Sequence, residues 1–232
     1  MQSKLVWLMI GPGTLTSQGT DRMDTLRYAE WRSGRPRLNG HELLAAVPEV
    51  AGIAKVEVDD GNPYPIASAG DLRALALRME LVARRPEIGG IVFVQGTNSI
   101  EETAYFLNLT VHTNKPLVVT GAQRPFTALG SDAQLNLIDA IRVAASPKAT
   151  GMGALVVTNG EINAARDVTK TNTYRLQTFR SRDLGILGYP TRSCSTGRRP
   201  GATRSLANSI LQTWSGCRAS TRSTCSRARA PI

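Results

Sequence analysis

Three short stretches of this chain put hydroxyl, amide and amine groups where a reaction could be run. The first is GPGTL (Gly11–Leu15), entered from the apolar run LVWLMI. Thr14 sits beside Gly11 and Gly13 at the end of that run, so its hydroxyl has backbone around it and little steric cover. Such a hydroxyl serves as a nucleophile when a base stands next to it, and otherwise satisfies turn hydrogen bonds. The second is QGTNSIEETAYFLNLT (Gln95–Thr110), entered from GIVFV. Thr97, Asn98 and Ser99 supply two hydroxyls and an amide in the turn between a buried strand and a helix. That turn lies at the carboxyl end of a strand, where open parallel sheets bind ligands, and free helix N–H groups there favour an anion. An ordinary strand-to-helix turn fits the same residues. The third is VTKTNT (Val168–Thr173), in which Lys170 stands among β-branched residues. Burial there lowers a lysine pKa toward that of a useful base; the competing reading is a solvated lysine on an edge strand.

The elements that must position these groups follow from pattern. Leu5–Ile10, Gly90–Val94, Pro116–Thr120 and Ala154–Thr158 read as buried strands, with Ile53–Val58 a weaker one. Helical stretches lie at His41–Val47, Asp71–Arg84, Ile100–His112 and Ser131–Ala145. Ser99 and Glu102 have the spacing of a capping box, which starts the third of these helices. Strands alternating with helices predict an α/β fold, a mainly parallel open sheet with helices on both faces. Thr16–Arg37 is long and polar and predicts a mobile loop or irregular hairpin beside the first strand.

Charge and cysteine divide the chain at Tyr189. The 232 residues carry a formal charge of +10, but residues 190–232 hold eight Arg and no Lys, Asp or Glu. The body, residues 1–189, is therefore close to neutral, as suits a small-molecule enzyme better than a nucleic-acid binder. All three cysteines (Cys194, Cys217, Cys225) fall in the tail, where Trp214 is the one aromatic. The body thus binds no metal through sulfur, and its histidines, His41 and His112, have no metal-ligand spacing. The tail has too little apolar patterning to offset chain entropy. It reads as a basic Arg/Ser/Thr-rich segment, disordered or read from a shifted frame of a GC-rich gene, with at most a helical turn at Leu206–Leu211. An apolar run of six residues at the amino end is too short for a secretory core or a membrane span, so the expected location is cytoplasmic.

Taken in order, GPGTL, QGTNSIEETAYFL, GAQRP (Gly121–Pro125), SDAQLNLIDAIRVAAS and DVTKTNT resemble the bacterial L-asparaginase/glutaminase family. That family shows a TGGTI-like loop, HGTDT before EETAYFL, a GAMRP-like turn and DVTKTNT. The resemblance covers about four-fifths of the chain. It implies an amidohydrolase that converts L-asparagine, and L-glutamine as a second amide, to the acid and ammonia through a threonyl ester, with no metal or organic cofactor. Thr14 matches the nucleophile and Tyr28 the assisting tyrosine of the following loop. Thr97 and Lys170 match the second threonine and its lysine. Ser68 matches a serine that contacts the substrate α-carboxylate; its other reading is the N-cap of the Asp71 helix.

Three departures stand out. Pro12 replaces a glycine, Gln95 replaces a histidine, and Asn98 replaces the aspartate that holds the substrate α-ammonium. The family also continues past LGY into a second domain that completes the site across a homo-oligomer, and no counterpart follows here. Two further readings of function follow: an inactive asparaginase-like remnant, or an amidase for substrates without an α-ammonium. A basic nucleic-acid-binding module is the reading from another class.

Overall fold

A computed structural model describes residues 5–61 and 63–191, together with the backbone of Ser195–Thr196. The rest of the tail, with its three cysteines and Leu206–Leu211, lies outside the described residues. In chain order the strands are β1 (Leu5–Ile10), β2 (Lys55–Val58), β3 (Ile88–Val94), β4 (Leu117–Thr120), β5 (Ala154–Thr158), β6 (Glu161–Ala164), β7 (Val168–Lys170), β8 (Phe179–Ser181), β9 (Gly188–Tyr189) and β10 (Ser195–Thr196). The helices are α1 (Glu30–Ser33), α2 (Gly40–Ala45), α3 (Ala69–Arg84), α4 (Ile100–Thr110) and α5 (Ala133–Ala145).

The main sheet has the order β10-β9-β6-β5-β4-β3-β1-β2, and β7 and β8 form a separate antiparallel pair. From β2 to β5 all pairings are parallel. Every residue of β3 and β5 is buried, as expected for strands covered on both faces. Alternate side chains go to opposite faces. Val6, Leu8, Val92, Val118 and Leu155 pack with Leu43 of α2 and Leu137 and Ile141 of α5. Trp7, Met9, Ile91, Phe93 and Val156 pack with Leu75 and Met79 of α3 and Ala104 and Leu107 of α4. The α/β sheet with helices on both faces is therefore the observed architecture.

Three local outcomes differ from the sequence reading. Ser99 occupies the N-cap position of α4 but makes no side-chain capping bond. A complete capping box forms instead at Asn39 and Glu42, opening α2. The strand β6 has no counterpart in the sequence reading; Asn159 (φ 50°) and Gly160 (φ 73°) turn the chain back from β5, and two successive positive φ values are the signature of a tight hairpin. Finally, β10 lies beyond Tyr189 and pairs antiparallel with β9, so ordered pairing crosses the boundary that charge and cysteine suggested.

Among the described residues, no helix is long and apolar enough to cross a membrane, and no group of three or more His, Cys, Asp or Glu is placed to hold a metal ion.

Candidate active site

The strand order reverses direction at β1. The chain steps from β1 out to β2 on one side, then returns to β3 on the other. Loops leaving the carboxyl ends of β1 and β3 therefore diverge and leave a crevice, the usual ligand position in an open α/β sheet. A cavity of about 610 Å³ opens there, lined by residues from Pro12 to Ala29, by Gln95–Ser99, and by Gln123, Lys170, Thr173 and Tyr174.

Close backbone approach builds its floor. Gly96 N–H donates to the Pro12 carbonyl at 3.0 Å, tying the loop after β3 to the loop after β1. A Cβ on Gly13 would stand 2.6 Å from the Gln95 carbonyl carbon, so only glycine lets these loops meet. Pro12, in place of a glycine, keeps the carbonyl that this contact uses. Beyond it, Thr16 and Ser17 donate their hydroxyls to Gly13 O at 2.9 and 2.8 Å. Thr14 lies in the same short 3-10 turn, and its hydroxyl is left to face Tyr28, donating to the phenol oxygen at a loose 3.4 Å.

The second pair is tighter. Lys170 Nζ donates to Thr97 Oγ1 at 2.8 Å, and Thr97 donates to Gln123 Oε1 at 2.9 Å. Thr97 is buried, 7 % exposed, whereas Asn98 beside it is exposed on the cavity wall. Lys170 ends β7, and its backbone N–H donates to Glu101 at 2.5 Å, which pins the strand to α4. Burial pushes the Lys170 ammonium below the usual lysine range, and the Glu101 carboxylate opposes that shift. Lys170 is half-buried at the end of the β7–β8 pair.

Five of the six residues singled out from sequence thus line one cavity: Thr14, Tyr28, Thr97, Asn98 and Lys170. Ser68 does not. Its hydroxyl accepts from Asp71 N–H at 3.2 Å and donates to Asp71 Oδ2 at 2.9 Å, as the N-cap of α3. Ile66, two residues earlier, reaches the cavity instead. The segment between β2 and α3 is anchored by Asp59, whose carboxylate accepts from Trp7, Gly61, Tyr64 and Arg78. That anchoring sets which residue of the segment meets the cavity, and periodicity carries no signal of it.

Sequence reasoning also passed over Gln123, Arg37 and Tyr174 as lining residues. Gln123 could have been found, since it follows β4, the neighbour of β3, at the same carboxyl edge. Tyr174 could not, because its approach depends on the β7–β8 hairpin folding back to give a Thr25–Tyr174 hydroxyl contact of 3.2 Å.

Comparison with known proteins identifies the family and the fold. Residues 5–199 match the family model "Asparaginase, N-terminal". L-asparaginase 2 of Bacillus subtilis (strain 168) is 40 % identical over 180 residues, covering 75 % of this chain and 46 % of that protein. Glutaminase-asparaginase of Pseudomonas fluorescens biotype A is 37 % identical over 171 residues, covering 73 % and 46 %. The chain spans about half the length of the curated relatives it matches. In structure, the probable cytoplasmic L-asparaginase from Campylobacter jejuni superposes with a TM-score of 0.75 at 28 % identity, covering 86 % of this chain and 59 % of that one. With the family model spanning most of its length, the crevice at β1 and β3, and two threonines each facing a partner across it, this chain belongs to the asparaginase family through its amino-terminal region.

Proposed function

We propose that this chain carries the amidohydrolase half-site for L-asparagine, with L-glutamine as a second amide. The observation that supports it most is the pair of pairs: Thr14 with Tyr28 and Thr97 with Lys170 face a single cavity. Thr14 Oγ1 attacks the side-chain amide carbon while its proton passes to Tyr28 Oη and the phenol's own proton moves on toward the amide nitrogen. Backbone N–H groups near Thr14 and Thr97 hold the developing oxyanion. The C–N bond breaks, the proton goes to the leaving nitrogen, and ammonia departs from a threonyl ester. Thr97, next to the desolvated Lys170 amine, directs water onto that ester, which releases the acid and restores Thr14.

The reading extends beyond the site. Residues 1–189 are the asparaginase-like body and 190–232 a basic tail outside the chemistry. The active form is a homo-oligomer in which a second domain closes the cavity, acts in the cytoplasm and uses no nucleic acid. Deleting residues 197–232, beyond β10, leaves the thermal transition in place. The direct test is ammonia release by Thr14→Ala protein. The expected result is the level of an enzyme-free blank with an unchanged circular dichroism spectrum; release above blank removes Thr14 from the mechanism.

A second reading is favoured by charge. The described lining residues include Arg37 and Lys170 but no Asp or Glu, and Asn98 is neutral. Such a wall suits an amide bearing a carboxylate but no α-ammonium. Asn98→Asp then tightens L-asparagine binding about tenfold, the weight of ~1.4 kcal/mol from a charge-assisted hydrogen bond. An unchanged KM for asparagine means that residue 98 does not face the amine.

A further inference from the structure

We propose that Gln123 is a positioning residue for the Thr97–Lys170 pair, fixing the direction of its hydrogen bonds so that Thr97 gives its proton to Gln123 and accepts from Lys170. This rests on the reading of Thr97 and Lys170 as reacting partners.

The argument begins with the amide itself. Gln123 Nε2 donates to the carbonyl of Arg175 at 3.1 Å and reaches that of Thr173 at 3.5 Å. Carbonyls only accept, so the NH2 end must face them. The opposite end, Oε1, then faces Thr97 at 2.9 Å and cannot donate. Thr97 has one hydroxyl proton, and it is committed to Gln123. Thr97 Oγ1 is left as an acceptor toward Lys170 Nζ at 2.8 Å. The amide orientation, set by two backbone carbonyls, dictates every later proton in the chain.

The backbone of Gln123 is held as firmly. Asp132 accepts from Gln123 N–H and Arg124 N–H, both at 3.0 Å. Asn136 donates to Asp132 and to Gly121 O, and both acceptor and donor side chains are buried. The turn after β4 is thus clamped by α5, and its glutamine spans to the hairpin that carries Lys170.

This arrangement has a chemical consequence. With Gln123 in place, Lys170 gains most as a donor, and its neutral amine is denied the Thr97 proton. Removing the acceptor frees that proton for the amine, so the neutral form gains and the ammonium loses. Besides Thr97, the charge of Glu101 from α4 acts on Lys170, and Tyr28 and Arg37 from the segment after β1 and Tyr174 from the hairpin line the same cavity. None of them contacts Thr97 Oγ1 among the hydrogen bonds of the described residues, so the effect of Gln123 is separable from theirs.

The test is an NMR titration of the full 232-residue chain with 13C-labelled lysine. The chain has five lysines, and Lys170→Arg assigns the signal. Gln123→Met keeps side-chain length and removes the acceptor. The expected result is an about three- to tenfold fall in the proton affinity of Lys170, the weight of one net hydrogen bond. Gln123→Asn withdraws the acceptor by one methylene and gives the same direction of change, which covers failure of the methionine variant to fold. In a Thr97→Val background, where no hydroxyl relays the effect, Gln123→Met leaves the Lys170 titration unmoved. No change in either Gln123 variant, a rise, or an equal fall without the Thr97 hydroxyl overturns the proposal. Because the titration needs no substrate, absence of ammonia release by the parent chain would count against the amidase reading alone.

Discussion

Two polar clusters lie near the carboxyl end of β1, and they are built to opposite ends. In one, Asp59 is fully enclosed and accepts from Trp7 Nε1 at 2.6 Å, Tyr64 Oη and Gly61 N at 2.7 Å, and Arg78 Nε at 2.9 Å. Its two oxygens are saturated by donors from β1, α3 and the intervening segment. In the other, Thr14, Tyr28, Thr97, Lys170 and Gln123 edge an open cavity. A loose 3.4 Å contact joins the first two, and among the described residues no carboxylate forms an ion pair with the lysine amine. A charge that is saturated on all sides holds a segment in place and can react with nothing. A hydroxyl with a partner on one side only, and a desolvated amine next to another, keep their reactivity for a ligand. Similar residue types thus yield an anchor or a reactive edge according to how completely their hydrogen bonds are used.

Breaking each cluster should therefore produce opposite phenotypes. Lys170→Met is expected to lower the proposed amidase rate by about 10²- to 10⁴-fold, the range for a lost proton-transfer group, without lowering stability. The sign follows from burial: the folded state disfavours the Lys170 ammonium, so the parent chain carries a penalty at neutral pH that fades as pH rises toward the ordinary lysine value. Melting curves at neutral and alkaline pH show that slope in the parent and lose it in the variant. A variant that melts far below the parent would place Lys170 among the anchors.

Asp59→Asn is the converse. It should cost about 2–3 kcal/mol, somewhat below the loss for a fully buried pair because Arg78 is 41 % exposed and can turn to water. Chemical denaturation measures this. Any fall in activity should scale with the unfolded fraction, apart from what a loosened Ile66 contributes to KM.

The same carboxylate sets an acid dependence. Burial alone raises the Asp59 pKa, but the hydrogen bonds from Arg78, Tyr64, Trp7 and Gly61 outweigh it and hold the group below its ordinary 3.8. A folded pKa below the unfolded one means the stabilisation is complete above pH 3.8 and is lost as pH falls through and below that value. Stability of the parent should drop on acidification below about pH 4, and Asp59→Asn should flatten that limb.

The smallest effects separate two serines. Ser68→Ala removes a formed cap and should cost about 1 kcal/mol while leaving substrate affinity alone. Ser99→Ala removes a hydroxyl that caps nothing and should change stability by only about a few tenths of a kcal/mol. If Ser68→Ala instead raises the KM for asparagine many-fold at constant stability, Ser68 returns to the substrate side of the comparison.

Much of this molecule was legible in the residues alone, and the reason is local. Continuous apolar runs such as Gly90–Val94 and Ala154–Thr158 have no choice but burial, so strands and their order of appearance could be read. The motif segments are short and rigid, entered from those strands, and Thr14, Thr97, Asn98 and Lys170 travelled with them to one edge of the sheet. What needed the folded chain was every feature that depends on two distant segments meeting. The carboxylate of Asp59 gathers partners from 52 residues before it to 19 after it, and so brings Ile66 rather than Ser68 to the cavity. Gln123 acquires its role only because carbonyls 50 and 52 residues later orient its amide. Ser99 has the spacing of a cap but loses that bond to the geometry of its turn. Composition and periodicity report what a segment does to its own backbone; which hydrogen bonds remain unspent at the active edge is settled by long-range packing, because each donor is used by whichever acceptor the tertiary fold brings within 3 Å.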